Sequence, residues 1–205
     1  MWSIDFSIGM RGRAMTIQEL FNRFQQRLTA VGGECHLVEQ VAAAADLIVA
    51  HAALAGREIV VPPAFAEREP WGAMIPLLRD RGIHIREAES PASVADAPAG
   101  LSCAELAIAE TGSVLIAENA LEARAVSMLT LTHFVLVRTQ DLVPMLDEGG
   151  ALLQQLTRPG PQQRRYISFV TGPSRTADIE RTLSIGVQGP KAVCVLFIPR
   201  WETQV

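Results

Sequence analysis

The sequence predicts an α/β protein with a layered, mostly parallel sheet and helices on both faces. Three observations carry that expectation. Short, wholly apolar runs such as Ile59-Val60-Val61 and Phe134-Val135-Leu136-Val137 have the unbroken hydrophobicity of strands covered on both sides. Runs at helical spacing alternate with them, as crossovers between parallel strands require. The chain has 205 residues and is 49% hydrophobic and 20% charged, enough for one sizeable core.

Residues 1–14 lack the basic end, apolar stretch and small-residue cleavage site of a signal peptide. The expected organisation is a disordered extension over residues 1–15 and a single domain over 16–205. Thr16-Ile17-Gln18-Glu19 has capping-box form, and Leu20, Phe21, Phe24, Leu28 and Val31 follow at helical spacing. Gly32-Gly33 ends that helix. Cys35 to Val38 reads as a strand, and Val41 to Ala55 as an Ala-rich helix stopped by Gly56. Ile59 to Val61 is a strand closed by Pro62-Pro63. Trp71 to Asp80 reads as a helix despite Pro76. Ile83 to Ile85 is a strand. Residues 87–100 are poor in large apolar side chains and hold two prolines, the pattern of a surface loop or connector.

The second half repeats the alternation. Cys103 to Ala109 has helical or buried apolar character, Ser113 to Ala117 reads as a strand and Leu121 to Leu129 as a helix. Phe134 to Val137 is a strand. Asp141 to Leu156 is expected to be a helix broken near Gly149-Gly150. Tyr166 to Val170, a helix around Asp178 to Leu183, and the strand Ala192 to Ile198 complete the chain.

Net charge is −4, so no basic nucleic-acid footprint exists. No apolar run reaches the ~18 residues of a membrane span. Cys35, Cys103 and Cys194 are too far apart for a CxxC zinc site or for the clustered ligands of an iron–sulfur centre. No cofactor or metal is expected in the chain, and a reducing cytoplasm is its natural setting. His36, His51 and His84 show no partner spacing.

The most informative stretch is Thr171 to Pro190, TGPSRTADIERTLSIGVQGP. A strand that empties into a Gly/Ser/Thr loop and then a helix is a ready anion site, because the helix N-terminus offers unpaired N–H groups. Gly172 permits the turn, Ser174 or Thr176 would cap the helix, and Arg175 adds a forked cationic donor. Asp178 either holds Arg175 or favours the helix dipole. Gly186, Gln188 and Gly189 form a second loop that either approaches a ligand or simply turns the chain. Equally, such Gly/Pro/Ser punctuation is common in any α/β domain.

The second candidate is Glu110-Thr111-Gly112, immediately before the strand at Ser113. It reads as a carboxylate base or nucleophile beside a hydroxyl, or as a turn with a solvated acid. Arg124 can pair with a carboxylate or with Glu110. His133 leads a strand, as a structural residue or as the best-placed imidazole for proton transfer. Open α/β sheets bind ligands at the carboxyl ends of their strands, and these loops are expected to converge there. No GxGxxG or GxxxxGK[ST] fingerprint is present.

AETGS at 109–113, Arg124, His133, GPSRTADIE at 172–180 and GVQGP at 186–190 together resemble the LUD-domain proteins of the lactate-utilisation protein C (YkgG-like) group. The resemblance covers residues 100 to 198. It implies a fold similar to the NagB/RpiA/CoA-transferase-like group. It also implies a place in an L-lactate utilisation system, in which lactate is oxidised to pyruvate with iron–sulfur partner proteins. Gln188 departs from the family, which reads GVHGP, and an amide cannot titrate. The expected function is therefore a component of that system that binds a small anionic ligand. The alternatives are a stand-alone isomerase or acyl/CoA-transferase-like enzyme using Glu110, or an interaction module that forms a homo-oligomer.

Overall fold

The computed structural model describes residues 15–176 and 184–201. Helix α1 (Ile17–Thr29) leads to strand β1 (Glu34–Leu37), helix α2 (Val41–Ala50) and strand β2 (Glu58–Val61). Helix α3 (Met74–Asp80), strand β3 (His84–Glu87) and the short helix α4 (Pro91–Val94) follow. Strands β4 (Ala99–Cys103), β5 (Leu106–Ile108) and β6 (Ser113–Ala117) precede helix α5 (Leu121–Leu129). The chain continues through β7 (Thr132–Arg138), β8 (Leu142–Val143), helix α6 (Leu146–Leu156) and β9 (Ile167–Val170). Two-residue strands β10 (Arg175–Thr176) and β11 (Ser184–Ile185) and the long β12 (Ala192–Ile198) complete it.

Six strands form the main sheet in the order β1-β12-β7-β4-β2-β3, every neighbouring pair parallel. Strand alternation decides what each face buries. Phe134, Leu136, Cys194, Leu196 and Ile198 point to the face covered by α2 and α3. Val135, Val137, Val193, Val195 and Phe197 point to the face covered by α1 and by a second sheet. In α1 the Thr16–Glu19 capping box forms as expected, and Phe21 and Phe24 pack edge-on to Phe197, their ring centroids 5.6 and 4.9 Å away. Each such fully buried side chain contributes about 1.5–3 kcal/mol.

The second sheet, β8-β5-β6-β9, is mixed: β5–β6 and β6–β9 are antiparallel, and β5–β8 is parallel. Of the two readings of residues 103–109 the buried apolar one holds, and they supply β5 rather than a helix. The helix expected over 141–156 is replaced at its start by β8, because Leu142 and Val143 pair with β5. Helix α6 runs unbroken through Gly149-Gly150. A side chain at Gly149 would stand 3.0 Å from Ile108 and 3.4 Å from Phe169, so the glycine lets α6 lie against this sheet. Residues 87–100 also differ from a loop: they hold α4 and the start of the central strand β4. Their small side chains conceal that strand. A Cβ on Gly100 would meet Thr130 at 2.6 Å, so close seating of the chain after α5 requires glycine here. The expected Val41–Ala55 helix ends at Ala50 and gives way to a 3-10 turn over Ala52–Leu54. The expected extension at 1–14 and the expected helix around Asp178 lie outside the described residues.

Candidate functional site

The sequence-predicted loops gather at the amino ends of the main-sheet strands, not at the carboxyl ends as expected. The β11–β12 loop opens directly into Ala192, the first residue of β12. His133 is the second residue of β7. Gly172 packs against Val31 and Gly33, just before β1, and Gly112 packs against the last turns of α1. The correction has a topological reason: β9 and the β5–β6 turn belong to the second sheet, whose antiparallel turns return the chain to the opposite edge.

Two loops and one helix build the site. After β9, Gly172 takes φ +74° and Pro173 turns the chain inward. The Ser174 N–H donates to the Pro190 carbonyl at 2.9 Å, and the Gly186 N–H donates to the Ser174 carbonyl at 2.8 Å. These bonds staple the GPSRT and GVQGP loops side by side. Gly189 has φ +157°, and a Cβ there would stand 2.9 Å from the Ser174 Cβ, so glycine lets the loops touch. Gly189 also faces the carbonyl of Met128 in the last turn of α5. Tyr166 at the head of β9 donates its hydroxyl to Met128 Sδ at 3.4 Å. The Arg124 guanidinium, one turn back on α5, lies over the Tyr166 ring at 4.9 Å. Met128 therefore links α5 both to Gly189 and to Tyr166, the ring over which Arg124 lies. Arg175 and Gln188 are exposed on the same loops.

At Arg175–Thr176 the chain forms a ribbon with Ser184–Ile185, and the helix expected to take Ser174 or Thr176 as its cap lies outside the described residues. Asp178 lies outside the described residues.

Buried polar atoms without a partner mark where hydrogen-bonding capacity remains open. Among the described residues these are Thr111 Oγ1, Arg124 Nε, His133 Nδ1 and Thr139 Oγ1. Three of the four belong to residues singled out from sequence. No ion pair involves Arg124 among the described residues, so of its two possible partners, a carboxylate or Glu110, Glu110 is not engaged. Glu110 instead accepts the Leu146 N–H at 2.9 Å, the first residue of α6, which places its carboxylate where a helix N-terminus favours negative charge. Thr111 and Gly112 form the tight β5–β6 turn against α1, and Ser113 bonds Thr171 at 2.5 Å. His133 is wholly buried and its Nε2 shares a hydrogen bond with Ser102 Oγ at 2.8 Å. Burial pushes its pKa down to about 4, so the ring is neutral at neutral pH. Glu110 and His133 thus serve separate parts of the fold and are not a paired acid and base.

The family model of the LUD domain matches residues 21–198. The chain belongs to the LUD domain family. It is 28% identical over 160 residues to lactate utilization protein C of Geobacillus kaustophilus (strain HTA426), covering 72% of this chain and 65% of that protein. It is 33% identical over 102 residues to lactate utilization protein C of Bacillus subtilis (strain 168), covering 49% of this chain and 42% of that protein. The chain thus spans less than two thirds of the length of these relatives. A solved duf162 family protein from Deinococcus radiodurans shares the fold, with a TM-score of 0.63 and 21% identity, over 90% of this chain and 99% of that one.

The carboxyl edge of this LUD domain carries charges that sequence reading did not single out. Arg68 bonds the buried Glu118 at 2.5 Å and stands 4.0 Å from Glu105. Arg138 forks onto Asp141 at 2.5 and 3.1 Å and lies over Trp71. Burial raises the pKa of both Glu105 and Asp141. The partners are 50 residues apart in the Arg68–Glu118 case, so spacing gives no cue. The described residues contain no helix long and apolar enough to cross a membrane.

Proposed function

We propose that this chain is a component of an L-lactate utilisation system that binds a small carboxylate or phosphate between α5 and the two stapled loops. The observation that carries the reading is the Arg124 guanidinium: it lies over Tyr166, its Nε is buried without a partner among the described residues, and Met128, one turn on along α5, faces the Ser174–Gly189 junction. A planar, always-charged fork with open donors suits a carboxylate or phosphate. Arg175, exposed on the adjoining ribbon, adds a second positive charge. The names of the curated relatives support the pathway. In this reading the electrons that lactate releases on becoming pyruvate pass to iron–sulfur partner proteins in the cytoplasm, and this chain holds the anion. The stand-alone enzyme reading is weaker, because the Glu110 carboxylate accepts the Leu146 N–H at the start of α6.

The test is a thermal-shift and calorimetric titration with L-lactate, pyruvate and inorganic phosphate. A ligand at 100 times its Kd stabilises the native state by about 2.7 kcal/mol. The expected result is a shift with one of these anions that Arg124→Gln and Arg175→Ala both diminish. Absence of binding to all three, or binding unchanged in Arg124→Gln, overturns the anion site.

A further inference from the structure

The opposite face of the main sheet holds a second polar constellation that sequence spacing did not suggest. Glu34 and His36 are two residues apart on β1, so both point to the α2 face, away from Cys35. The strand register sets Glu34 beside Cys194 of β12. Glu34 Oε1 lies 2.5 Å from His36 Nε2 and 3.9 Å from Cys194 Sγ, and the three donor atoms fall within 4.8 Å of one another. They line a cavity of about 200 Å³ together with Ile48, His51 and Phe134.

We propose that Glu34, His36 and Cys194 form a binding site for a divalent transition-metal ion of the zinc class. One carboxylate oxygen, one imidazole nitrogen and one sulfur make a mixed donor set that suits zinc. Magnesium and calcium prefer oxygen alone. Tetrahedral zinc at ordinary bond lengths holds its donors about 3.3–3.7 Å apart. The Cys194–Glu34 spacing is already close to that. The His36–Glu34 contact must open, which needs only rotation of a Glu34 side chain that is 51% exposed. The ion replaces that hydrogen bond and forms bonds to oxygen, nitrogen and sulfur; the His36 ring proton passes from Nε2 to Nδ1 through solvent, which frees Nε2 to ligate, and the Cys194 thiol proton is released to solvent.

His51 has a different part. Its Nδ1 accepts the Ala53 N–H at 3.1 Å, so in the neutral ring the proton sits on Nε2. That Nε2–H stands 4.0 Å from the second oxygen of Glu34, and the ring is braced edge-on against Phe134 at 5.1 Å. It is placed to orient the ligating carboxylate rather than to bind the ion. Three protein ligands leave a fourth position facing the cavity, the arrangement in which a bound water is exchangeable.

The experiment is a cobalt titration of the full chain after chelator treatment, read by absorbance, with zinc competition. The expected result is saturation at one equivalent with a thiolate-to-cobalt charge-transfer band, reversed by zinc. Cys194→Ser removes the band. His36→Gln, a partly exposed change that leaves the core intact, weakens binding at least tenfold. His51→Gln keeps the band but loses about 10–100-fold in affinity. His84→Gln, on the far edge strand, changes nothing. Absence of the band at one equivalent, its survival in Cys194→Ser, or undiminished affinity in His36→Gln overturns the site.

Discussion

The two ends of the main parallel sheet contrast in how they treat polar groups. At the carboxyl edge the charges satisfy one another: Arg68 holds Glu118, and Arg138 holds Asp141. At the amino edge and on the helix beside it, hydrogen-bonding capacity is left open. His133 Nδ1 and Arg124 Nε lack partners, while two glycine loops are stapled close by. The Thr139 hydroxyl is the one unpartnered buried group of the described residues that follows the carboxyl end of β7. Position in an α/β sheet therefore does not by itself locate the open hydrogen-bonding capacity. In this molecule the second sheet carries the glycine-rich turns to the edge that simple open sheets leave unused.

Four measurements break or sharpen that contrast. The largest effect belongs to His133. Its folded pKa of about 4 lies below its ordinary 6.5, so the unfolded chain takes up a proton first as pH falls. Stability is intact above about pH 6.5 and declines down to about pH 4, by on the order of 3 kcal/mol. Urea unfolding across that window in the native chain and in His133→Gln measures it. A profile that is equally steep in both excludes the histidine as the cause.

At the carboxyl edge, Arg68→Met strands the Glu118 carboxylate in a mostly buried position. The expected loss is about 2 kcal/mol, less than for a fully buried pair because Arg68 is partly exposed. A double-mutant cycle with Glu118→Gln should recover part of it, and additive losses would show that the two side chains do not depend on each other. Gly189→Ala should cost about 1–2 kcal/mol, since the added Cβ meets Ser174 in a backbone conformation that side chains disfavour. A melting temperature unchanged from the native chain would mean the loops are not tightly stapled. Arg175→Ala should alter stability by less than about 0.5 kcal/mol, because the side chain is exposed. A larger loss would make Arg175 a structural residue and remove it from the anion site.

Much of the fold was legible because its signals are local. The capping box at Thr16, the apolar strands at Ile59, Phe134 and Ala192, and the helix over Leu121–Leu129 each occupy one continuous segment. The second sheet was less legible. Its strands β5 and β8 are three and two residues long, too short for periodicity to tell strand from helix. The site was half legible. The glycine loops announced themselves through residue type, but the carboxyl-edge ion pairs and the Glu34–His36–Cys194 cluster join residues distant in the chain. The alternation of Glu34, Cys35 and His36 on a strand was the only local cue to that cluster, and it does not reveal what lies across from it.

By itself, the sequence determined the α/β class, the order of most elements, and which loops carry glycine, hydroxyl and arginine together. Local propensity and side-chain period act within a few residues, so no partner is needed to read them. Tertiary structure alone decided that those loops meet at the amino edge, that Glu110 caps α6, and that His133 is sealed beside Ser102. Those outcomes depend on strand register and on the crossing of two sheets, and contacts of that range are set by packing between segments far apart in the chain.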